Sequence, residues 1–165
     1  MKGRITQAEA QTFVEHIGRL CEDAGYPRMA GRVLGSLLIC ERGIQSFGEL
    51  VEHLQASKGS ISAMTRLLVQ VGLVERISMP GERRDYFQLS DDAWTQFLRE
   101  RVSSISRFRD AAEQTLPLMR AEPPERRARL QAMYDFYSWW EQEAALVLAR
   151  WEHRAGAERV RGNKL

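Results

Sequence analysis

The segment from Ser46 to Leu89 constrains the fold of this chain most, because capping and turn residues recur in it at short intervals. Ser46 is followed three residues later by Glu49, a spacing in which the two residues satisfy each other's unpaired amides at a helix start. A second capping residue, Ser57, precedes another helical pattern, which Gly72 is expected to end in a left-handed conformation. The spacing therefore predicts two short helices joined by a tight turn.

A charged hairpin is predicted after the second helix. Leu73–Ile77 alternates into a strand, and Tyr86–Leu89 returns as its partner. Pro80–Gly81 marks the turn between them, next to Arg83 and Arg84. Two helices in a tight turn followed by such a hairpin are the parts of a winged helix-turn-helix. The sequence thus predicts a mainly α fold of the α+β type, a winged helix-turn-helix with a two-stranded wing, followed by long C-terminal helices.

At these residues the chain resembles the MarR-type transcriptional regulators, and within them the GbsR-like branch. The resemblance covers the region from Gly25 to Leu89 and rests on Gly25–Gly35, Ser57–Ser62, Gly72–Val74 and Pro80–Tyr86. It implies a homodimer that binds double-stranded DNA at a pseudo-palindromic operator, with repression as the commoner role. Branch members often carry arginine where this chain has Ala63, a position on or near the DNA face.

The second helix, predicted over Ser57–Val71, is the expected recognition helix. One stripe is apolar and consists of Ile61, Met64, Leu68 and Val71. Taken alone, Ser57 is also explained as a cap that only stabilises the helix. The polar and cationic residues around Gly59 favour DNA contact, since recognition helices contact bases with their N-terminal residues.

The predicted DNA contacts are Ser57, Lys58, Gly59, Ser60, Ser62 and Arg66 of the recognition helix, together with Arg83 and Arg84 of the wing. The serines and Lys58 are expected to contact bases and nearby phosphates. The three arginines are expected chiefly to hold the phosphate backbone.

The C-terminal part is predicted to form two long helices. One follows Ser90, and the next begins at Pro123–Pro124, since proline suits a first helical turn. In this last helix apolar residues recur at alternating steps of three and four, as in a coiled coil: Leu130, Met133, Tyr137, Trp140, Ala144, Val147 and Trp151. Such a seam needs a partner, either the antiparallel helix before it or the same helix of a second subunit.

The resemblance assigns the terminal helices to the homodimer. The chain then comprises an N-terminal helix for dimerisation and packing (1–24), a winged helix-turn-helix DNA-binding domain (25–90) and a helical dimerisation arm (91–165). The predicted dimer-interface residues are Leu130, Met133, Tyr137, Trp140, Val147 and Trp151.

Aromatic residues outside the seam suggest an effector site. The cluster around Tyr137 is open to two interpretations, an interhelical core or a cage for a cationic ligand such as a quaternary ammonium. The resemblance adds that effectors commonly bind between the arm and the winged domain, and that the branch is linked to choline and betaine metabolism. The residues predicted to line such a pocket are Trp94, Phe97, Phe136 and Trp139.

Net charge and cysteine spacing give little further information about the class of protein. The chain has 165 residues and a formal net charge of +2, which by itself is weak support for nucleic-acid binding, so local charge placement must carry that prediction. Cys21 and Cys40 lack metal or disulfide spacing and are interpreted as structural thiols, with a redox switch as the alternative.

No enzyme is expected, because the three histidines His16, His53 and His153 stand outside any catalytic motif. No metal or cofactor is predicted. No segment approaches the roughly 18 consecutive apolar residues that a membrane span needs, so a cytoplasmic protein without membrane association is expected. The rival interpretation is a winged helix that binds a protein partner instead of DNA.

Overall fold

The order of elements confirms the winged helix-turn-helix and the long C-terminal helices. The computed structural model describes residues 5–162, with side chains for residues 5–156. In chain order the elements are α1 (Gln7–Asp23), α2 (Arg28–Ile39), β1 (Ile44–Ser46), α3 (Phe47–Leu54), α4 (Lys58–Gln70), β2 (Val74–Ser78), β3 (Asp85–Leu89), α5 (Ala93–Thr115), a 3₁₀ turn (Leu116–Met119) and α6 (Pro124–Gly162). The chain divides between Ala93 and Trp94 into two compact units, each described below by itself.

Capping residues fix the starts of the helices in the first unit. The Glu49 backbone N–H donates to Ser46 Oγ at 3.2 Å, and the Glu49 carboxylate accepts the Ser46 backbone N–H at 2.7 Å, which confirms the predicted capping box. The Ser46 N–H lowers the pKa of the Glu49 carboxyl. Thr6 and Glu9 form a second box at α1. At the other end of α4, Gly72 adopts the predicted left-handed conformation with a φ of +76°.

Helix α2 is the centre of the first unit. Its Val33 and Leu37 are almost fully buried, and the helix contacts α1, α3, α4 and β3. The apolar end of α2 therefore lies under the winged helix as core. Leu50 of α3, Ile61 of α4 and Val74 of β2 are buried to the same degree. The helix-turn-helix is therefore assembled on one apolar helix.

Glycines allow α1 and α2 to pack at very short range. A Cβ atom added at Gly31 would lie 2.6 Å from the Ile17 carbonyl oxygen and 2.8 Å from the Gly18 Cα. At Gly35 the added atom would lie 3.2 Å from the Val14 Cα. Gly31 and Gly35, one turn apart, therefore allow α1 to approach α2 closely.

The sheet has three strands, whereas the sequence predicts only the two strands of the wing. Strands β2 and β3 pair antiparallel, as predicted, and Val74 lies opposite Leu89. Strand β1 pairs with the other edge of β3. Strand β1 has three residues, which is too short for an alternating pattern to register. Its Gln45 is also buried, although polarity suggests an exposed loop. The wing is thus an extension of a small sheet anchored beside α3.

The second unit contains an antiparallel pair of helices. Phe108 of α5 stacks on Tyr137 of α6 with ring centroids 5.0 Å apart. Towards the opposite ends of the two helices, Trp151 Nε1 donates to Thr95 Oγ1 at 2.9 Å. Helix α6 begins at Pro124, which confirms the predicted break. Of the two partners considered for the apolar seam, the antiparallel neighbour is therefore present within the chain.

Substituting Gly31 by alanine should destabilise the first unit by about 1–3 kcal/mol, because the methyl group would overlap α1 and force the helices apart. Alanine favours a helix over glycine by only about 1 kcal/mol, which is less than the cost of overpacking. Urea unfolding followed by circular dichroism measures the change. Gly156→Ala is the matched control, since a Cβ there meets nothing within 4 Å. It should leave stability equal or slightly higher, and an equal loss in both variants would contradict the close-packing account.

Candidate nucleic-acid interface

The turn between α3 and α4 is fixed by backbone and side-chain hydrogen bonds. Gln55 adopts a left-handed conformation with a φ of 49°, and the Ala56 backbone N–H donates to the Val51 carbonyl at 3.2 Å. Arg32 Nη2 donates to the Leu54 carbonyl at 3.1 Å, and Arg32 Nε lies 2.8 Å from Glu15 Oε1 of α1. Sequence reasoning did not single out Arg32, although a charge inside an otherwise apolar helix is a signal that could have found it. These bonds set the angle at which α4 leaves α3.

The N-terminus of α4 is capped but open to approach. The Ser60 backbone N–H donates to Ser57 Oγ at 3.1 Å, which confirms Ser57 as the predicted cap. The amides of Lys58 and Gly59 are among the first four of the helix, which have no acceptor within it. The first turn contains no acidic residue, and a Cβ added at Gly59 would meet nothing within 4 Å. This helix end therefore presents amide donors and the positive end of its dipole to a nearby phosphate.

The faces of α4 differ from the prediction in one respect. Ile61 and Leu68 are buried as expected, but Met64 and Val71 are only half-buried. Thr65 takes the core position instead, at 3% exposure, and its hydroxyl donates to the Ile61 carbonyl at 2.8 Å. A hydrophobic pattern assigns a polar residue such as Thr65 to the surface. Its burial is tolerated here because a carbonyl of the same helix accepts the hydrogen bond of its hydroxyl.

The outward side of α4 carries the predicted contact residues. Ser57, Lys58, Gly59 and Arg66 are exposed, while Ser60 and Ser62 are half-buried. Ala63, where the GbsR-like branch often has arginine, is also exposed. The structure thus brings the predicted residues of this helix together along its N-terminal turns.

The wing is stiffened by two side-chain contacts that the sequence interpretation missed. Arg76 of β2 forms an ion pair with Asp85 of β3, with Nε and Nη2 at 2.9 and 2.8 Å from Oδ1. The Tyr86 hydroxyl donates to the Glu82 carboxylate, a contact that raises the pKa of Tyr86. The predicted residues Arg83 and Arg84 lie exposed at the tip between these contacts.

The pairing of basic residues separates this surface from the rest of the segment between Gly25 and Ala93. Between Gly25 and Ala93 the chain has eight lysine and arginine residues, all of them in the described region. Four form ion pairs with carboxylates: Arg28, Arg32, Arg42 and Arg76. The other four form no ion pair within the described residues: Lys58, Arg66, Arg83 and Arg84. All four of these belong to the predicted DNA contacts, so between Gly25 and Ala93 the uncompensated positive charge lies on α4 and the wing. In the rest of the first unit, the exposed Arg19 of α1 also forms no ion pair within the described residues.

The aromatic residues predicted to line an effector pocket do not come together within the arm. Trp94 and Phe97 lie at the start of α5, near the Thr95–Trp151 contact, whereas Phe136 and Trp139 lie near the Phe108–Tyr137 contact. The two pairs are separated by about 20 Å along the helices, at 1.5 Å per residue. The pocket between the arm and the winged domain stays a prediction.

The structure also divides the predicted dimer-interface residues into two groups. Tyr137 and Trp151 contact α5 of the same chain, and Leu130 and Met133 are half-buried. Trp140 and Val147 point away from these contacts and are 41% and 52% exposed. The seam therefore has an inner side, used within the chain, and an outer side that remains accessible.

Other kinds of site have little support in the described part of the chain. No cluster of three or more histidine, cysteine, aspartate or glutamate residues there is arranged to hold a metal ion. None of the helices described is both long and apolar enough to cross a membrane. Burial raises the pKa of the Cys21 and Cys40 thiols, the opposite of the shift that makes a cysteine reactive.

A capped helix with an open N-terminus, beside a hairpin with unpaired arginines at its tip, is the arrangement of a winged helix-turn-helix. Comparison with known proteins agrees. A family model described as the MmpR5-like MarR family transcriptional regulator matches residues 92–154. The HTH-type transcriptional regulator MmpR5 of Mycobacterium tuberculosis is 36% identical over 152 residues, which cover 92% of each chain. This chain therefore belongs to the MarR family of transcriptional regulators.

Two further relatives agree with this assignment. A crystal structure of a transcriptional regulator superposes with a TM-score of 0.80 at 36% identity, covering 88% of this chain and 99% of that one. The putative HTH-type transcriptional regulator YvaV of Bacillus subtilis is 30% identical over 94 residues, which cover 57% of this chain and 52% of that protein. The second likeness is confined to part of each chain, whereas the first extends over nearly the whole fold.

Removing the cap of α4 should destabilise the winged domain. Ser57→Ala deletes the acceptor of the Ser60 N–H and should cost about 0.5–2 kcal/mol, measured by urea unfolding. Ser57→Asp provides the comparison, because aspartate caps as well as serine and its charge suits the helix dipole. The aspartate variant should therefore keep the original stability. If alanine were also tolerated without loss, Ser57 would not be stabilising this helix.

Proposed function

We propose that this MarR-family regulator binds double-stranded DNA sequence-specifically as a homodimer, with α4 in the major groove and the wing against the adjacent backbone. The observation that carries the proposal is the division of the eight basic residues described above. Pairing with carboxylates neutralises four of them, and the four left unpaired all lie on α4 or the wing. Unpaired cations on a surface that also presents a helix N-terminus are suited to a phosphate backbone.

Within this surface we expect two kinds of DNA contact, one to bases and nearby phosphates and one to the phosphate backbone. Ser57, Lys58, Ser60 and Ser62 surround the open helix end at Gly59 and are suited to base edges and nearby phosphates. Arg66, one turn further along α4, and Arg83 and Arg84 at the wing tip would hold the backbone and so set the register of the helix. Serine and lysine offer fewer bidentate base contacts than arginine, so backbone contacts should contribute a large share of the affinity.

The homodimer is supported by the outer side of α6. Phe136, Trp139, Trp140, Leu146 and Val147 are each more than 40% exposed in the single chain. This is more contiguous apolar surface than a helix normally leaves to solvent. A dimer carries two recognition helices, so its operator should be a pseudo-palindrome with half-site centres about 10 base pairs apart. We assign the protein to the GbsR-like branch on the four segments named earlier, and propose repression with response to a small effector as its mode of action.

Removal of the wing cations tests the DNA contact. Deleting a side chain that neutralises one phosphate should flatten the slope of log affinity against log salt by about 0.9. The double variant Arg83→Ala with Arg84→Ala removes four arginines from a dimer. It should therefore flatten the slope by about 1.8 units if one arginine of each wing neutralises a phosphate, and by about 3.6 units if both do. Lys58→Ala should weaken operator binding as well. Fluorescence anisotropy with a labelled operator duplex at several salt concentrations gives both quantities.

The matched control is Arg126→Ala, which removes an exposed arginine paired with Glu122 in the arm. It should keep the salt slope of the unmodified protein. An unchanged slope in the wing variant would remove the wing from the interface. If the unmodified protein bound no duplex with a steep salt dependence, the winged helix would instead be a protein-interaction module.

Removing Trp140 tests the dimer. Trp140→Ala should raise the dimer dissociation constant roughly 30-fold, since a tryptophan at the centre of an interface contributes about 2 kcal/mol or more. Sedimentation velocity over a range of concentrations measures the shift towards monomer. Leu118→Ala is the control, because that side chain is 81% exposed in the 3₁₀ turn. A Trp140 variant that dimerises as well as the control would place the interface elsewhere.

A further inference from the structure

The first unit contains an open cavity of about 560 Å³ that the DNA-binding surface does not use. It lies between the N-terminal half of α1, the end of α2, β1 and α3. Its apolar lining comprises Ile5, Ala10, Val14, Ile39, Ile44 and Leu54. A volume of this size falls within the range that accommodates drug-sized ligands.

One wall of the cavity is a chain of hydrogen-bonded polar side chains. Ser36 Oγ donates to Gln45 Oε1 at 2.8 Å, and Gln45 Nε2 lies 3.0 Å from His53 Nδ1. Ser36 and Gln45 are only 7% and 5% exposed. Two apolar side chains at these positions would avoid the free-energy cost of burying polar groups. A primary amide has two donors and an acceptor with two lone pairs, so Gln45 retains one donor and one lone pair beyond these two bonds.

The charged groups at the cavity favour an uncharged occupant. Arg42 and Glu49 pair with each other, and the Glu49 carboxylate also accepts the Ser46 backbone N–H at 2.7 Å. A charged ligand would therefore lose hydration without gaining a new partner from the Arg42–Glu49 pair.

We propose that this cavity is a binding site for an uncharged, mostly apolar small molecule carrying one hydrogen-bonding group, which Gln45 recognises. The site is distinct from the pocket predicted beside the arm. The regulatory part of the inference rests on the proposed function, since it requires the protein to bind DNA.

Helix α3 connects the cavity to the DNA-binding surface. Its residues Glu49, His53 and Leu54 line the cavity. The Leu54 carbonyl accepts from Arg32 at 3.1 Å, and Gln55 then forms the turn into α4. A molecule seated against α3 thus contacts the helix that sets the direction of α4. It alters operator affinity to the extent that it binds the two arrangements of this helix pair with different affinity.

The probe for the test is N-phenyl-1-naphthylamine, an uncharged aromatic amine with one N–H group whose fluorescence rises in apolar surroundings. It should bind the full-length protein saturably. Ala10→Phe, which fills the cavity from α1, should weaken binding at least tenfold. Ala8→Phe adds the same side chain at an exposed position of α1 outside the cavity lining and should bind the probe as the unmodified protein does.

A second variant that fills the cavity keeps the test valid if Ala10→Phe does not fold. Gln11 also lines the cavity but is exposed, so Gln11→Trp should fold even if Ala10→Phe does not, as thermal melting by circular dichroism will show. Absence of saturable binding overturns the proposal. Equal binding by the folded filling variants and the Ala8→Phe control also overturns it, since the probe would then occupy another surface, such as the exposed aromatics of α6.

Operator affinity measured with and without saturating probe tests the regulatory part. A change of about tenfold, equivalent to about 1.4 kcal/mol of coupling, is expected for the unmodified protein and for Ala8→Phe, but not for the filling variants. Probe binding that leaves operator affinity unchanged overturns the regulation while the binding site stands. Failure of the unmodified protein to bind any duplex is a failure of the proposed function, and the fluorescence titration still decides whether the cavity binds the probe.

Discussion

Burial of α2 on nearly every side is the constraint on which the winged domain depends. Val33 and Leu37 of this helix are shielded by elements that come both before and after it in the chain. Because α1 packs on α2 through glycine, the two helices behave as one support. Arg32 extends this support to the turn before α4 by joining Glu15 to the Leu54 carbonyl. The orientation of the DNA-binding helix is therefore set by a helix that contacts no DNA in the proposed complex.

Sequence reasoning succeeded where the determining interactions are local. The capping box joins Ser46 to Glu49, which lies three residues later, and the left-handed conformation of Gly72 depends only on its own backbone. Both features can therefore be predicted from the sequence. Strand β1 and the buried Thr65 were missed because each depends on a partner that hydrophobic patterning does not encode. For β1 that partner is β3, far away in the chain, and for Thr65 it is the carbonyl of the preceding helical turn. The partner of the α6 seam stayed open for the same reason.

The charge pattern illustrates a limit of composition. A net charge of +2 gives little reason to expect a nucleic-acid partner. The three-dimensional arrangement changes this conclusion, because carboxylates neutralise the arginines of α2 and β2 and leave those of α4 and the wing tip unpaired. The candidate contact residues could be named from the helix-turn-helix pattern. Which cations are uncompensated required the positions of the acidic side chains, and these depend on tertiary contacts.

Gln55 shows a different kind of consequence. Within the described residues it is the only residue other than glycine with a positive φ, and such a conformation costs a side chain with a Cβ about 1 kcal/mol or more. Glycine at this position would relieve the strain, but it would also allow the turn many more backbone conformations. Gln55 thus lowers the stability of the fold somewhat but restricts the turn between α3 and α4 to fewer backbone conformations. In evolutionary terms, a substitution that makes this protein more stable here should leave the orientation of α4 less well defined, and with it the sequence-specific binding proposed above.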